Sequence, residues 1–171
     1  PSINEITQYL DEIKIAGYSD VFAITISSGL SGTNNAFRLA LEQYEGLNYH
    51  LFDSKTLSMA LGFMVMEASK LAKIGTAFEQ IAEKMSEFRF KKISCFYTIN
   101  TLTYLRRGGR IGKVEGTIAE LLDIKPIISV NDSGVYYAHA KTRGEKKAIM
   151  KMVDLIKEKY SDKKIQLAVL Y

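Results

Sequence analysis

Val21-Phe-Ala-Ile-Thr-Ile-Ser-Ser-Gly-Leu-Ser-Gly-Thr33 is the stretch that decides the fold. A short apolar run rich in β-branched residues ends in Ser27 and Ser28. Gly29, Leu30, Ser31, Gly32 and Thr33 come next, and a helical pattern follows. That order reads as strand, small-residue loop, helix. Such a loop leaves the first N–H groups of the helix unpaired and aimed at whatever sits above the strand end. Serine hydroxyls add donors there, and the glycines let a ligand approach the backbone closely. The fitting ligand carries a negatively charged or strongly accepting group, such as a carboxylate or a phosphate. A plain strand-to-helix turn with a serine cap is the simpler reading, since serine is common at helix starts.

Upstream, Ser2-Ile-Asn-Glu5 is a capping box, and Ile3, Ile6, Leu10 and Ile13 lie on one helical face. Gly17 closes that helix before a strand expected over 21–26. Downstream, a helix from Thr33 to Tyr44 carries Ala36, Leu39, Ala40 and Tyr44 on one side. Gly46 and Asn48 then turn the chain into Tyr49-His-Leu-Phe52, a second strand. Two strands joined by a helix make a βαβ unit, so they are expected to be parallel with a right-handed crossover.

The pattern changes after residue 55. Leu57, Ala60, Leu61, Met64, Val65, Ala68 and Leu71 define a long helix that Gly75 stops. Thr76-Ala-Phe-Glu79 reads as a second capping box, ahead of a helix carrying Phe78, Ile81 and Met85. Ile93–Ile99 reads as a buried strand, and Thr101–Arg107 and Val114–Leu122 read as short helices. Asn131-Asp-Ser-Gly134 between two apolar runs predicts an antiparallel hairpin of strands 125–130 and 135–141. Ile149, Met152, Val153, Ile156 and Tyr160 mark a last helix backed by lysines. Ile165–Tyr171 reads as one more strand, returning to the parallel sheet, which two strands alone would not stabilise.

The expected fold class is therefore α/β with two domains. A parallel α/β/α sheet domain, truncated here, takes 1–55 and 161–171, and an α+β domain with antiparallel strands takes 56–160. Starting on a helix and stopping on a strand, the chain reads as a piece of something larger.

Composition narrows the function classes. The chain has 171 residues and is 47% apolar, with one cysteine, two histidines and a net charge of +4. Its longest apolar stretches fall short of the about 20 residues a membrane helix needs. Cys95 lies in an apolar run and reads as a reduced core residue, which favours a cytoplasmic setting. One cysteine and two distant histidines do not make a structural zinc site. The lysines spread over helix faces, a pattern of solvated surface and not of a nucleic-acid footprint.

Three familiar motifs fail on inspection. Gly29-Leu-Ser-Gly32, with Asp53 downstream, resembles half of a dinucleotide loop, but the full Gly-x-Gly-x-x-Gly is absent. A hydrolase elbow needs Gly-x-Ser-x-Gly, and the second glycine falls one position early. His50 and His139 each read as structural residues and supply no base. Arg106-Arg-Gly-Gly-Arg-Ile-Gly-Lys-Val114 lacks the first glycine and final hydroxyl of a P-loop. Its four cations suit an anion or a partner's acidic patch, or simply a solvated helix end.

Taken together, the motifs are more specific than any one of them. Ile26-Ser-Ser-Gly-Leu-Ser-Gly-Thr33, Phe52-Asp-Ser-Lys55 with Ser58 and Gly62, Leu102–Ile111, Ile124-Lys-Pro-Ile127 and Gly134–Arg143 occur in order. The set resembles the DegV family of bacterial fatty-acid-binding proteins across essentially the whole chain. That resemblance implies a long-chain fatty acid held between two domains, its carboxylate at the serine loop and its acyl chain in an apolar tunnel. It implies a carrier and not an enzyme, with no cofactor, presenting the fatty acid to a separate fatty acid kinase and touching membranes only transiently for lipid exchange.

Carried over residue by residue, Ser31 is the best carboxylate contact, and Ser27, Ser28, Gly32 and Thr33 form the supporting loop. Arg107, Arg110 and Arg143 are suggested as cations around the head group or on the kinase-facing rim. The family's first strand, the threonine expected before Pro1 and a C-terminal His-Gly motif have no counterpart here. Two other classes stand beside this reading: a small-molecule hydrolase or transferase using Ser31, and a regulatory module working through Arg106–Lys113.

Overall fold

The first helix, α1 (Ile3–Ile15), starts where its cap chemistry dictates. The Glu5 N–H donates to Ser2 Oγ at 3.2 Å, and the Ser2 N–H donates back to the Glu5 carboxylate at 2.6 Å. Ile6 and Leu10 are its buried residues, and Gly17 ends the turn that follows at a φ of +86°. The computed structural model describes residues 1–114 and 124–170.

Strand β1 (Asp20–Thr25) feeds the serine loop, and helix α2 (Thr33–Glu42) returns the chain to strand β2 (Asn48–Asp53). The two strands pair in parallel, with Asp20 opposite Asn48 and Thr25 opposite Asp53. Ile6, Leu10, Ala23, Ala40, Leu41 and Leu47 form the core beneath them. Each fully buried leucine or isoleucine there contributes about 1.5–3 kcal/mol by leaving water. Helices α3 (Ser58–Lys73) and α4 (Phe78–Glu87) follow, and a π-helical turn, Phe88–Lys92, extends α4.

The remaining elements are α5 (Thr103–Arg107), the antiparallel pair β3 (Ile124–Val130) and β4 (Tyr136–Arg143), and α6 (Glu145–Tyr160), which packs on both strands. Ile127 opposes Ala140 while Ile128 opposes Ala138, so His139 is the extra residue of a β-bulge. The chain divides into two compact units. The first is Pro1–Ile93 with Asp132–Gly134, and the second is Ser94–Asn131 with Val135–Tyr171. The first unit runs on to Ile93, and within it α3 packs against β1 and α4.

Three expectations about elements are corrected. Ile93–Ile99 forms no strand. It meets the hairpin at one bridge, where Tyr97 and Ile128 exchange backbone hydrogen bonds of 3.0 and 2.8 Å. An apolar run signals burial and does not by itself supply a ladder. Thr76 caps nothing: α4 begins at Phe78 with Ala77 at the N-cap and no side-chain cap. Residues 165–170 form no strand either, and Leu167, Val169 and Leu170 lie exposed, because apolar β-formers need a partner's backbone to make one. The helix expected over Val114–Leu122 falls almost wholly outside the described residues.

Candidate functional site

The carboxyl ends of parallel strands are where open α/β sheets offer ligand sites. Here β1 and β2 end in register at Thr25 and Asp53, so the segments 26–32 and 54–57 leave the sheet side by side. The Ser27 N–H donates to the Thr56 carbonyl at 2.9 Å, tying the two segments together.

Ser27 is fully buried, and its hydroxyl is consumed by the fold. Ser27 Oγ donates to the Gly134 carbonyl at 2.7 Å and accepts the Gly29 N–H at 3.2 Å. The Leu30 and Ser31 N–H groups donate to the Ser27 carbonyl at 3.0 and 3.1 Å, curling the loop into a turn. Glycine is required at two contacting positions. A Cβ on Gly29 would lie 2.7 Å from the Gly134 carbonyl oxygen. Gly134 has a φ of +78°, and a Cβ there would run into Ser27 Oγ.

Ser28, Ser31, Gly32 and Thr33 face outward to differing degrees: Ser28 and Gly32 are exposed, and Ser31 and Thr33 are half-buried. The Ser31 and Thr33 hydroxyls hydrogen-bond at 2.8 Å, and the Thr33 N–H donates to Ser31 Oγ at 3.3 Å. Ser31 therefore caps the first amide of α2 from one residue before Gly32, its N-cap. Asn34 Nδ2 donates to Thr25 Oγ1 at 2.9 Å, pinning the helix start to the strand end. Among the described residues, no histidine or carboxylate hydrogen-bonds Ser31 Oγ. His50 is stacked on Phe22 with ring centroids 5.0 Å apart, and His139 packs on Phe96, also at 5.0 Å. Both histidines sit in aromatic packing.

The sequence marks Phe52-Asp-Ser-Lys55 as a motif but gives Asp53 and Lys55 no role at the serine loop, where they form the second half of this site. Asp53 Oδ1 accepts the N–H groups of Ser28 and Lys55 at 3.2 and 3.1 Å. Its other oxygen meets Lys55 Nζ at 2.7 Å, and Lys55 Nζ also donates to Ser28 Oγ at 3.1 Å. Burial opposes ionisation of Asp53, but the hydrogen bonds from Lys55 and Ser28 outweigh it and hold the carboxyl below its ordinary range. Lys55 has a φ of +50°, unusual for a residue with a side chain. Arg89, 8% exposed, secures it by donating twice to the Lys55 carbonyl, at 3.0 and 2.8 Å. The usable signal lay in register: residues just past two neighbouring parallel strands meet, whatever their separation in sequence.

The three candidate arginines belong to the second unit. Arg107 ends α5, Arg110 follows the glycine pair with its guanidinium on the Gly108 carbonyl, and Arg143 ends β4. All three are exposed. Among the described residues, no group of His, Cys, Asp and Glu is arranged to hold a metal ion. No described helix is long and apolar enough to cross a membrane.

The model of the family described as "Uncharacterised protein, DegV family" matches residues 1–171. A DegV domain-containing protein of Clostridium perfringens is 46% identical over 165 residues, 96% of this chain and 58% of that protein. The crystal structure of DegV, a fatty acid binding protein from Bacillus subtilis, is 31% identical with a TM-score of 0.82, covering 94% of this chain and 56% of that one. A stearic acid-binding protein from Eubacterium ventriosum is 26% identical with a TM-score of 0.79, covering 93% and 55%. The chain thus spans little more than half the length of these relatives.

Proposed function

This chain belongs to the DegV family, and we propose that it forms part of a protein that binds a long-chain fatty acid. The observation that carries the reading is the serine loop itself. The Ser28 hydroxyl beside the Lys55 ammonium, the linked Ser31 and Thr33 hydroxyls and the amide end of α2 all lie past the carboxyl end of β1. A carboxylate there gains from the helix dipole and from charge-assisted hydrogen bonds. Solved relatives are described as fatty-acid-binding proteins, one of them for stearic acid, and a fatty acid carries such a group.

In this reading Ser31 is the principal carboxylate donor, with Ser28, Gly32 and Thr33 around it. Ser27 shapes the loop from beneath. The acyl chain runs in an apolar tunnel of the complete protein, where each buried CH₂ contributes about 0.8 kcal/mol. Residues 1–55 with 161–171 belong to one domain of that protein and 56–160 to the lipid-covering one. Arg107, Arg110 and Arg143 serve the head group or a partner. The partner is a fatty acid kinase acting in the cytoplasm, and this protein is its carrier and not an enzyme.

The test is denaturing extraction and mass spectrometry of the complete protein. A fatty acid at about one per chain supports the reading, and Ser31→Ala lowers its retention. A blank after incubation with mixed fatty acids defeats it. Turnover of a small-molecule ester that Ser31→Ala abolishes would instead establish the hydrolase reading.

A further inference from the structure

We propose that Lys55 is a specificity-determining residue of the serine-loop site, one that selects an ionised carboxylate head over a neutral one of the same chain length. The inference rests on the fatty-acid reading above and deepens it.

Lys55 is placed with more care than a surface lysine. Its backbone holds a left-handed conformation, φ +50°, and its carbonyl takes two donors from the buried Arg89. The aliphatic part of its side chain lies against Gly134, where a Cβ would come 3.0 Å from Lys55 Cδ. Asp53 receives its ammonium at 2.7 Å and its N–H at 3.1 Å. Backbone, stem and head are thus each fixed by a different neighbour, which reduces the rotamer entropy a lysine loses on meeting a ligand.

The fixed ammonium acts on Ser28. A hydroxyl has one proton and two lone pairs. Ser28 Oγ accepts from Lys55 Nζ at 3.1 Å, so its proton stays available to point outward. The ammonium has three protons, of which Asp53 and Ser28 engage two, and 34% of the Lys55 side chain is exposed. The remaining N–H and the Ser28 O–H are adjacent donors, with a positive charge behind both. An anionic oxygen gains from that charge, and a neutral alcohol oxygen gains little.

The test compares palmitate and hexadecan-1-ol by displacement of a fluorescent lipid from the complete protein. Lys55→Met is expected to weaken palmitate about tenfold, the loss of one charge-assisted hydrogen bond, and to leave hexadecan-1-ol unchanged. Lys55→Arg should keep most of the preference for the acid. Ser28→Ala combined with Lys55→Met should cost less than the sum of the two, because the residues share one interaction. Equal weakening of acid and alcohol would make Lys55 a structural residue only and overturn the proposal, as would no change in either. If the unsubstituted protein binds neither lipid, the fatty-acid reading falls and this inference with it.

Discussion

The Ser27 hydroxyl donates to the carbonyl of Gly134 at 2.7 Å, although 107 positions separate the two residues. Ser27 is fully buried, so this hydroxyl faces the fold and not a ligand. Ser27→Ala leaves the Gly134 carbonyl and the Gly29 N–H without their partner. Leaving a buried group such as the Gly134 carbonyl unsatisfied costs about 1–3 kcal/mol. Denaturant unfolding should show that loss, while Ser31→Ala, which removes a half-buried cap on the Thr33 N–H, should cost less.

Gly134 tolerates no side chain. Its left-handed backbone would cost Gly134→Ala about 1–2 kcal/mol before any clash, and the new methyl would also strike Ser27 Oγ. A fall in the thermal midpoint exceeding that of Ser27→Ala is the expected result. Equal midpoints for Gly134→Ala and the unsubstituted chain would refute the tight contact.

Asp53 makes part of the stability dependent on acidity. Its carboxyl is held below its ordinary range, so the charged form is favoured by folding. The contribution is complete above the unfolded value of about 3.9 and disappears as pH falls through the lower folded value. Asp53→Asn should be less stable at neutral pH and should lack this component of the acid-induced loss. Paired pH titrations of unfolding free energy would reveal the difference.

At the first helix the prediction is local. Ser2→Ala removes the hydroxyl that receives the Glu5 N–H, and such caps contribute about 1 kcal/mol. Helix α1 carries Ile6 and Leu10 of the core, so the loss should appear in global unfolding and not only as fraying.

Much of the fold was legible because its signals are local. The Ser2–Glu5 box, the glycines after α1 and α3, the parallel pair and the hairpin at Asn131–Gly134 follow from cap chemistry, periodicity and turn residues. The two misplaced strands share one cause. Ile93–Ile99 and Ile165–Leu170 carry strand-like residues, but a strand exists only where another backbone accepts its hydrogen bonds. The serine loop could be read as a strand-to-helix junction from its spacing alone. Lys55, Asp53 and Gly134 could not be joined to it, because register and a long-range turn bring them there. Arg89 left no trace in any pattern, since its role depends on one carbonyl far along the chain.

The bulge at His139 has a consequence for the cation at the end of its strand. Side chains alternate between faces along a strand, so an extra residue would exchange the two sides for everything beyond it unless a bulge absorbs it. From Ala140 to Arg143 each residue of β4 again opposes one residue of β3, from Ile127 to Ile124. Arg143 therefore keeps the face of Ile124, and deleting His139 would straighten the strand without turning that cation over. The bulge is a place where the chain can gain or lose one residue while its cation stays on the same surface.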